Sequence, residues 1–124
     1  MSTAMTLEEP LQSLGYGVVG PYVYESAGAA AIDHTASPGR PCYFREVFMT
    51  LAAGVAAENM VVDIIDAAGV TVATVETQAM LGLTSWHHQF TYPVSMASGW
   101  HVKFTQANGN TVAWTLKATF SDTP

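Results

Sequence analysis

The last third of the chain alternates between apolar and polar residues with a period of two. In residues 99–120, GWHVKFTQANGNTVAWTLKATF, one parity is apolar and the other consists mainly of Thr, His and Lys. The apolar parity contains Trp100, Val102, Phe104, Val112, Trp114, Leu116 and Phe120. Successive side chains of a β-strand point to opposite faces, so this pattern predicts strands with one face in a core. The other face is polar but carries little charge, which is unusual for a surface that meets only water.

Earlier segments also favour strands. An interrupted edge strand is indicated in residues 15–26, a short strand at 30–34, and longer strands at 42–52 and 85–94. Residues 60–77 are predicted to form two strands joined by a turn. With seven to eight strands, short turns and no strong helix, the chain is predicted to be all-β. The expected architecture is a single antiparallel β-sandwich of jelly-roll or immunoglobulin-like type. Residues 1–14 are predicted to be a short N-terminal arm, and residues 15–124 the sandwich domain.

One turn in the middle of the chain has a clear signature. Asp66-Ala67-Ala68-Gly69 fits a type I turn, with Asp at the first position and Gly at the last. This turn predicts that Ile64 pairs with Val72 and that Val62 pairs with Thr74. The even-numbered positions would then share a largely apolar face.

A second hairpin is predicted in the closing segment. A two-residue loop at Asn108-Gly109 would place Phe104 and Trp114 on opposite faces, because a one-residue slip reverses every side chain. A three-residue loop at Asn108–Asn110 instead pairs Phe104 directly with Trp114. We therefore expect the three-residue loop, with Gly109 or Asn110 in the left-handed region.

Composition and charge exclude some of the functions that a β-sandwich could have. Of the 124 residues, 49% are hydrophobic and only 11% are charged, against a usual fraction of about 25% charged. A surface with so few charged residues is often buried by a partner protein. The net charge of −6 argues against nucleic acid or an anionic membrane as the main partner. We find no signal peptide and no membrane span, and the single cysteine, Cys42, is expected to be a buried small residue.

The histidines raise the question of a metal site. Adjacent His87 and His88 point to opposite faces of a regular strand, with His88 on the core side beside Trp86 and Phe90. Strand geometry favours only His87 with His101 as a metal pair, and no Asp or Glu occurs in residues 77–121 to complete it. We therefore expect structural histidines, with no metal and no cofactor.

No catalytic motif is present, and the chain is not expected to be an enzyme. Asp63 and Asp66 could form an acid/base pair, but Asp66 is better explained by the turn and Asp63 by a sheet face. A sugar-binding platform could be built from five aromatic residues, although their parity instead directs them into the core. These residues are Trp86, Tyr92, Trp100, Phe104 and Trp114.

The polar parity of the closing segment is the candidate contact surface. Its two lysines, several threonines and lack of acids make its desolvation cost modest, so we expect it to contact a sister subunit or a shell surface. The lysines would suit an acidic partner, including the acid-rich first half of a sister chain. The predicted interface residues are His101, Lys103, Thr105, Thr115, Lys117 and Thr119, together with Leu7, Leu11 and Leu14 of the arm.

The chain resembles the small β-sandwich accessory proteins of tailed-phage virions, such as capsid decoration (cement) proteins. The resemblance lies in the apolar arm from Leu7 to Leu14, the run DIIDAAGVTVAT and the closing segment 99–120. It implies a non-enzymatic protein that binds the outer surface of an assembled capsid, often as a trimer, and reinforces its joints. Its partners would be capsid or other virion proteins, and it would be located in the virion, assembled in the host cytoplasm. The alternative is a carbohydrate-binding or receptor-binding module, which would need exposed aromatic residues in a groove.

Overall fold

The computed structural model describes residues 22–124, which form eight β-strands and no helix. Sheet 1 contains β1, β8, β3 and β6 in that order, and sheet 2 contains β2, β7, β4 and β5. The strands are β1 (Tyr22–Gly28), β2 (Ile32–Ala36), β3 (Cys42–Leu51), β4 (Asn59–Ile65), β5 (Thr71–Ala79), β6 (Ser85–Met96), β7 (His101–Gln106) and β8 (Trp114–Ser121). The predicted all-β sandwich is confirmed, while the predicted arm lies outside the described residues.

The strand order is that of a jelly roll, one of the two predicted types. The antiparallel pairs β4–β5, β3–β6, β2–β7 and β1–β8 nest around a single central turn. The chain therefore resembles one long hairpin that is rolled up, so that successive pairs fall in alternate sheets. Every connection except β4–β5 passes from one sheet to the other.

The central turn forms as predicted, but the register beyond it differs. Asp66 Oδ1 accepts hydrogen bonds from the backbone N–H groups of Ala68 (2.9 Å) and Val70 (3.0 Å), and Gly69 has a φ of 85°. Two register shifts follow, each leaving an extra residue on edge strand β5. The predicted partners of β4 are therefore wrong, and the bulged Val72 is 48% exposed rather than facing the core.

The shifted pairs are specific. Ile64 lies opposite Ala73 instead of Val72, and Val62 lies opposite Glu76 instead of Thr74. On β4 the even positions still face the interior, since Ile64 and Val62 are buried. The predicted shared apolar face thus holds for β4 and fails for the early part of β5.

The predicted closing hairpin is wrong. β7 pairs with β2 and β4 in sheet 2, whereas β8 pairs with β1 and β3 in sheet 1. Phe104 and Trp114 are nevertheless both buried, because both point into the same interior from opposite sheets. The residues with positive φ in this connection are Asn108 (48°) and Thr111 (51°), not Gly109 or Asn110.

Aromatic rings fill the middle of the sandwich. The Phe44 ring centroid lies 4.9 Å from that of Phe90, 5.1 Å from Phe120 and 6.2 Å from Phe104. Burial of each such side chain stabilises the fold by about 1.5–3 kcal/mol. Trp86 and Trp114 are also buried, and Trp100 packs against the core as a partly buried residue, as their parity predicts.

Tyr92 is the exception among the five aromatic residues that were expected to face inward. Between Gln89 and Val94, four residues of β6 stand opposite the single residue Arg45 of β3. This bulge breaks the alternation, so Phe90 turns into the core and Tyr92 is 86% exposed.

Candidate functional site

The structure divides the predicted polar contact surface in two. His101, Lys103 and Thr105 lie on β7, on the outer face of sheet 2, where their neighbours alternate into the core. Thr115, Lys117 and Thr119 lie on β8, on the outer face of sheet 1. Both sets point outward as predicted, but on opposite sides of the sandwich, so they do not form one continuous face. Leu7, Leu11 and Leu14 lie outside the described residues.

On the outer face of sheet 2 the charges are balanced locally. Lys103 Nζ lies 3.8 Å from Asp33 Oδ1, and the Asp63 backbone is the direct cross-strand neighbour of Lys103. Asp63 Oδ1 accepts a hydrogen bond of 2.5 Å from the Thr74 hydroxyl. A shallow concavity of about 530 Å³ on this face is lined mainly by these polar groups. This face therefore has the character of an ordinary solvated surface.

On the outer face of sheet 1, one row of side chains crosses all four strands. Cross-strand register places Glu25, Lys117, Phe48 and His87 side by side on β1, β8, β3 and β6. The rings of Phe48 and His87 stack with centroids 4.1 Å apart and an angle of 2° between their planes. His87 Nε2 also contacts Glu46 Oε1 at 2.9 Å. The row joins an aromatic pair to a lysine and a carboxylate.

Beside this row lies a concavity that we call the sheet 1 trough. It has a volume of about 570 Å³, and Glu25, Ala27, Phe48, Thr50, Thr115 and Lys117 contribute to its lining. The hydroxyls of Thr50 and Thr115 hydrogen-bond to each other across β3 and β8. A smaller concavity of about 280 Å³ extends the depression past Ala113 towards Trp114. Small and apolar groups thus form most of this surface, and Phe48 is 37% exposed within it.

Lys117 differs from the other cations of the chain, which has four in all. Arg40 pairs with Asp122 at 2.9 Å, Lys103 with Asp33 at 3.8 Å, and Arg45 donates to the Ser121 hydroxyl at 3.4 Å. Lys117 has no hydrogen bond or ion pair with any residue in 22–124, although Glu25 is its cross-strand neighbour. A free ammonium group therefore borders the sheet 1 trough.

The histidines are separated by the fold. His87 lies on sheet 1 and His101 on sheet 2, where His101 Nδ1 hydrogen-bonds to the Ser37 hydroxyl at 2.8 Å. His88 is half-buried next to Phe90, with ring centroids 4.7 Å apart, which confirms its predicted place on the core side. Within residues 22–124, no three His, Cys, Asp or Glu side chains are grouped so that they could hold a metal ion.

Cys42 has the predicted character of a buried small residue. Its side chain is almost fully enclosed at the start of β3. Burial raises the pKa of the Cys42 thiol, and the nearby Arg40 opposes this increase only in part. The thiol is therefore a poor nucleophile in the folded protein.

One polar network was not found from the sequence. The buried Asn108 amide donates to the carbonyls of Ala30 and Val112, each at 2.9 Å, and accepts from the Val112 N–H at 3.0 Å. Both carboxylate oxygens of Glu58 accept from the Gly109 N–H, at 3.0 and 3.1 Å. An Asn-Gly dipeptide is typical of a hairpin, but Asn108-Gly109 instead joins loops at one end of the sandwich through these hydrogen bonds.

No protein-family model matches the chain, and the search of curated proteins finds no match. Among the described residues there is no helix of the length and hydropathy needed to cross a membrane.

Proposed function

We propose that the chain is a non-enzymatic structural protein of a virion, which binds an assembled capsid surface and reinforces it through the outer face of sheet 1. The observation that carries this proposal is the sheet 1 trough, an apolar depression bordered by the free ammonium group of Lys117. The jelly roll also occurs in viral capsid domains, which supports the proposal by fold analogy alone.

The energetics of desolvation favour sheet 1 over sheet 2 as the contact face. Covering the outer face of sheet 2 would remove water from Lys103, Asp33 and Asp63. The desolvation penalty of paired charges is often as large as the attraction between them. The trough presents mainly Ala27, Phe48 and two threonines whose hydroxyls already bond to each other. Its two exposed charges, Glu25 and Lys117, need partners of opposite charge where they are covered. Of the six outward residues singled out from the sequence, we therefore assign contact to Thr115, Lys117 and Thr119.

The described Ser–His contacts support a non-enzymatic role. Ser37 bonds to His101 Nδ1 at 2.8 Å, and Ser26 lies 3.4 Å from His34 Nδ1, which also contacts the Tyr24 hydroxyl at 3.2 Å. In a catalytic triad a carboxylate orients the histidine from its second nitrogen. Within residues 22–124, neither of these histidines has such a carboxylate partner.

The test compares two matched variants on opposite faces. Particles are purified by density gradient from a culture that produces the virion, and the chain is quantified in the particle fraction by mass spectrometry. Thr115→Glu places a charge in the trough, and we expect it to reduce the amount of chain on particles. Thr105→Glu places the same charge on sheet 2 and should leave that amount unchanged. Absence of the parent chain from particles, or equal binding by both variants, would refute the proposal.

A carbohydrate-binding or receptor-binding module is the second candidate, and one observation favours it. The Phe48 ring is partly exposed in the trough with hydroxyl, carboxylate and ammonium groups around it, and aromatic rings can stack on sugars. A glycan array screened with the purified chain tests this candidate. Binding of a defined saccharide that is lost in Phe48→Ala, without particle association, would favour the module over the virion protein.

A further inference from the structure

We propose that the sheet 1 trough binds the N-terminal segment Leu7–Leu11 of a second copy of this chain. This inference rests on the proposed function, because it names the sister subunit as one partner of the outer face of sheet 1. The arm of a neighbouring copy would fill the trough and the capsid would contact the same outer face around it, so that a charge placed in the trough would weaken both contacts.

The segment and the trough are complementary in charge and polarity. The segment LEEPL places two acids and a proline between two leucines. The trough places the unpaired Lys117 beside Phe48 and Ala27. The leucines can cover the apolar lining while Glu8 or Glu9 approaches the ammonium group, which has no other partner among the described residues.

The dimensions of the segment and the trough also agree. An extended segment of five residues spans about 17 Å. The lining runs along β8 from Lys117 to Thr115 and continues past Ala113 in the adjoining concavity, a distance of about 13 Å for four residue steps. A longer partner element is not needed to fill the depression.

Chain direction selects a second copy over the chain's own segment. β1 begins at Tyr22, opposite Phe120, while the trough is centred near Thr115, about 16 Å further along β8. The chain's own segment would have to turn back along β1 to reach this trough, whereas the segment of a second copy can enter it directly.

Cysteine cross-linking between full-length chains tests the proposal. Copies carrying Glu9→Cys are mixed with copies carrying Ala27→Cys, both in a Cys42→Ala background, and disulfide-linked heterodimers are measured under mild oxidation. The matched control replaces Ala27→Cys with Thr35→Cys, which is exposed on sheet 2. We expect the trough cysteine to react about tenfold faster, because docking raises the local concentration of the partner thiol.

Exchange of charged residues between the segment and the trough provides a second test. Lys117→Glu on the chain that carries Ala27→Cys, or Glu8→Lys on the chain that carries Glu9→Cys, should each slow heterodimer formation about fivefold through loss of attraction. Mixing chains that carry Glu8→Lys and Glu9→Cys with chains that carry Lys117→Glu and Ala27→Cys should restore the rate, and Lys103→Glu should have no effect. Equal rates for the trough and control cysteines would overturn the proposal. So would a concentration-independent disulfide within one chain that carries both Glu9→Cys and Ala27→Cys.

The two proposals fail in different ways. Particle association without preferential cross-linking overturns the arm contact and leaves the virion role intact. Preferential cross-linking without particle association overturns the virion role and supports contact between copies through the trough.

Discussion

The buried amide of Asn108 should be worth more to stability than any other loop side chain described here. In Asn108→Ala, the backbone N–H and carbonyl of Val112 lose their partners, which bond to the amide at 3.0 and 2.9 Å. The carbonyl of Ala30 keeps the Trp114 indole N–H as a donor at 2.9 Å. The change therefore leaves both backbone groups of the half-buried Val112 without these bonds, and the exposed carbonyl of Ala29 loses a longer one of 3.3 Å.

Two terms set the expected loss of unfolding free energy in Asn108→Ala. Leaving buried backbone groups unpaired costs about 1–3 kcal/mol. Asn108 also has a φ of 48°, and an alanine in the left-handed region costs about 1–2 kcal/mol, whereas asparagine tolerates it. Together we expect a loss of about 3 kcal/mol in the free energy of unfolding, against a typical total of about 5–15 kcal/mol.

Urea unfolding followed by tryptophan fluorescence measures this loss. Asn110→Ala is the control, because Asn110 is exposed in the same connection and surface changes usually fall within about 0.5 kcal/mol. The slope of unfolding free energy against urea should stay constant, so that the midpoint reports stability. If the two variants unfold at the same midpoint, Asn108 does not clamp the loops and the reasoning is wrong.

Three further predictions concern stability and reactivity. Trp114→Ala should lower the free energy of unfolding by about 3–5 kcal/mol in urea melts, because the side chain is buried and bonded to Ala30; a loss under about 1 kcal/mol would contradict this. Gly109→Ala should lower the thermal midpoint, because a Cβ there would lie 2.6 Å from Glu58 Oε2, and an unchanged midpoint would show that the carboxylate moves freely. Iodoacetamide should alkylate Cys42 slowly in the folded chain and rapidly in urea, because burial raises the pKa of its thiol; equal rates in mass spectrometry would show that the thiol is accessible.

Alternation along the strands was enough to predict the sandwich and most of its core, and the residues Asp66-Ala67-Ala68-Gly69 were enough to predict the turn between β4 and β5. It could not decide which strand β8 pairs with. In a sandwich both sheets face the same interior, so Phe104 and Trp114 are buried whether β7 and β8 form a hairpin or lie in opposite sheets. The bulges could not be predicted either, because the sequence around Val72 and Tyr92 gives no sign that extra residues interrupt the alternation.

The candidate site was predicted only in part. The outward direction of Lys117 and Thr115 follows from parity and is correct. Their neighbours Phe48 and Thr50 come from β3, and only the three-dimensional register of β1, β8 and β3 brings these residues together. The separation of Lys103 from Lys117 likewise depends on which sheet each strand joins, a property of topology that strand pattern does not encode.

The nested pairing of strands also constrains how the chain reaches its folded state. Only β4 and β5 pair through a short local turn, and each pair outside them closes a longer loop. β8 lies between β1 and β3, so sheet 1 cannot be completed on a ribosome until β8 has emerged. β1 has β8 as its only strand partner and must remain unpaired until then. Such long-range pairing is typical of proteins that fold in about milliseconds to seconds, and a nascent chain of this topology has a long interval in which a chaperone could bind its apolar strands.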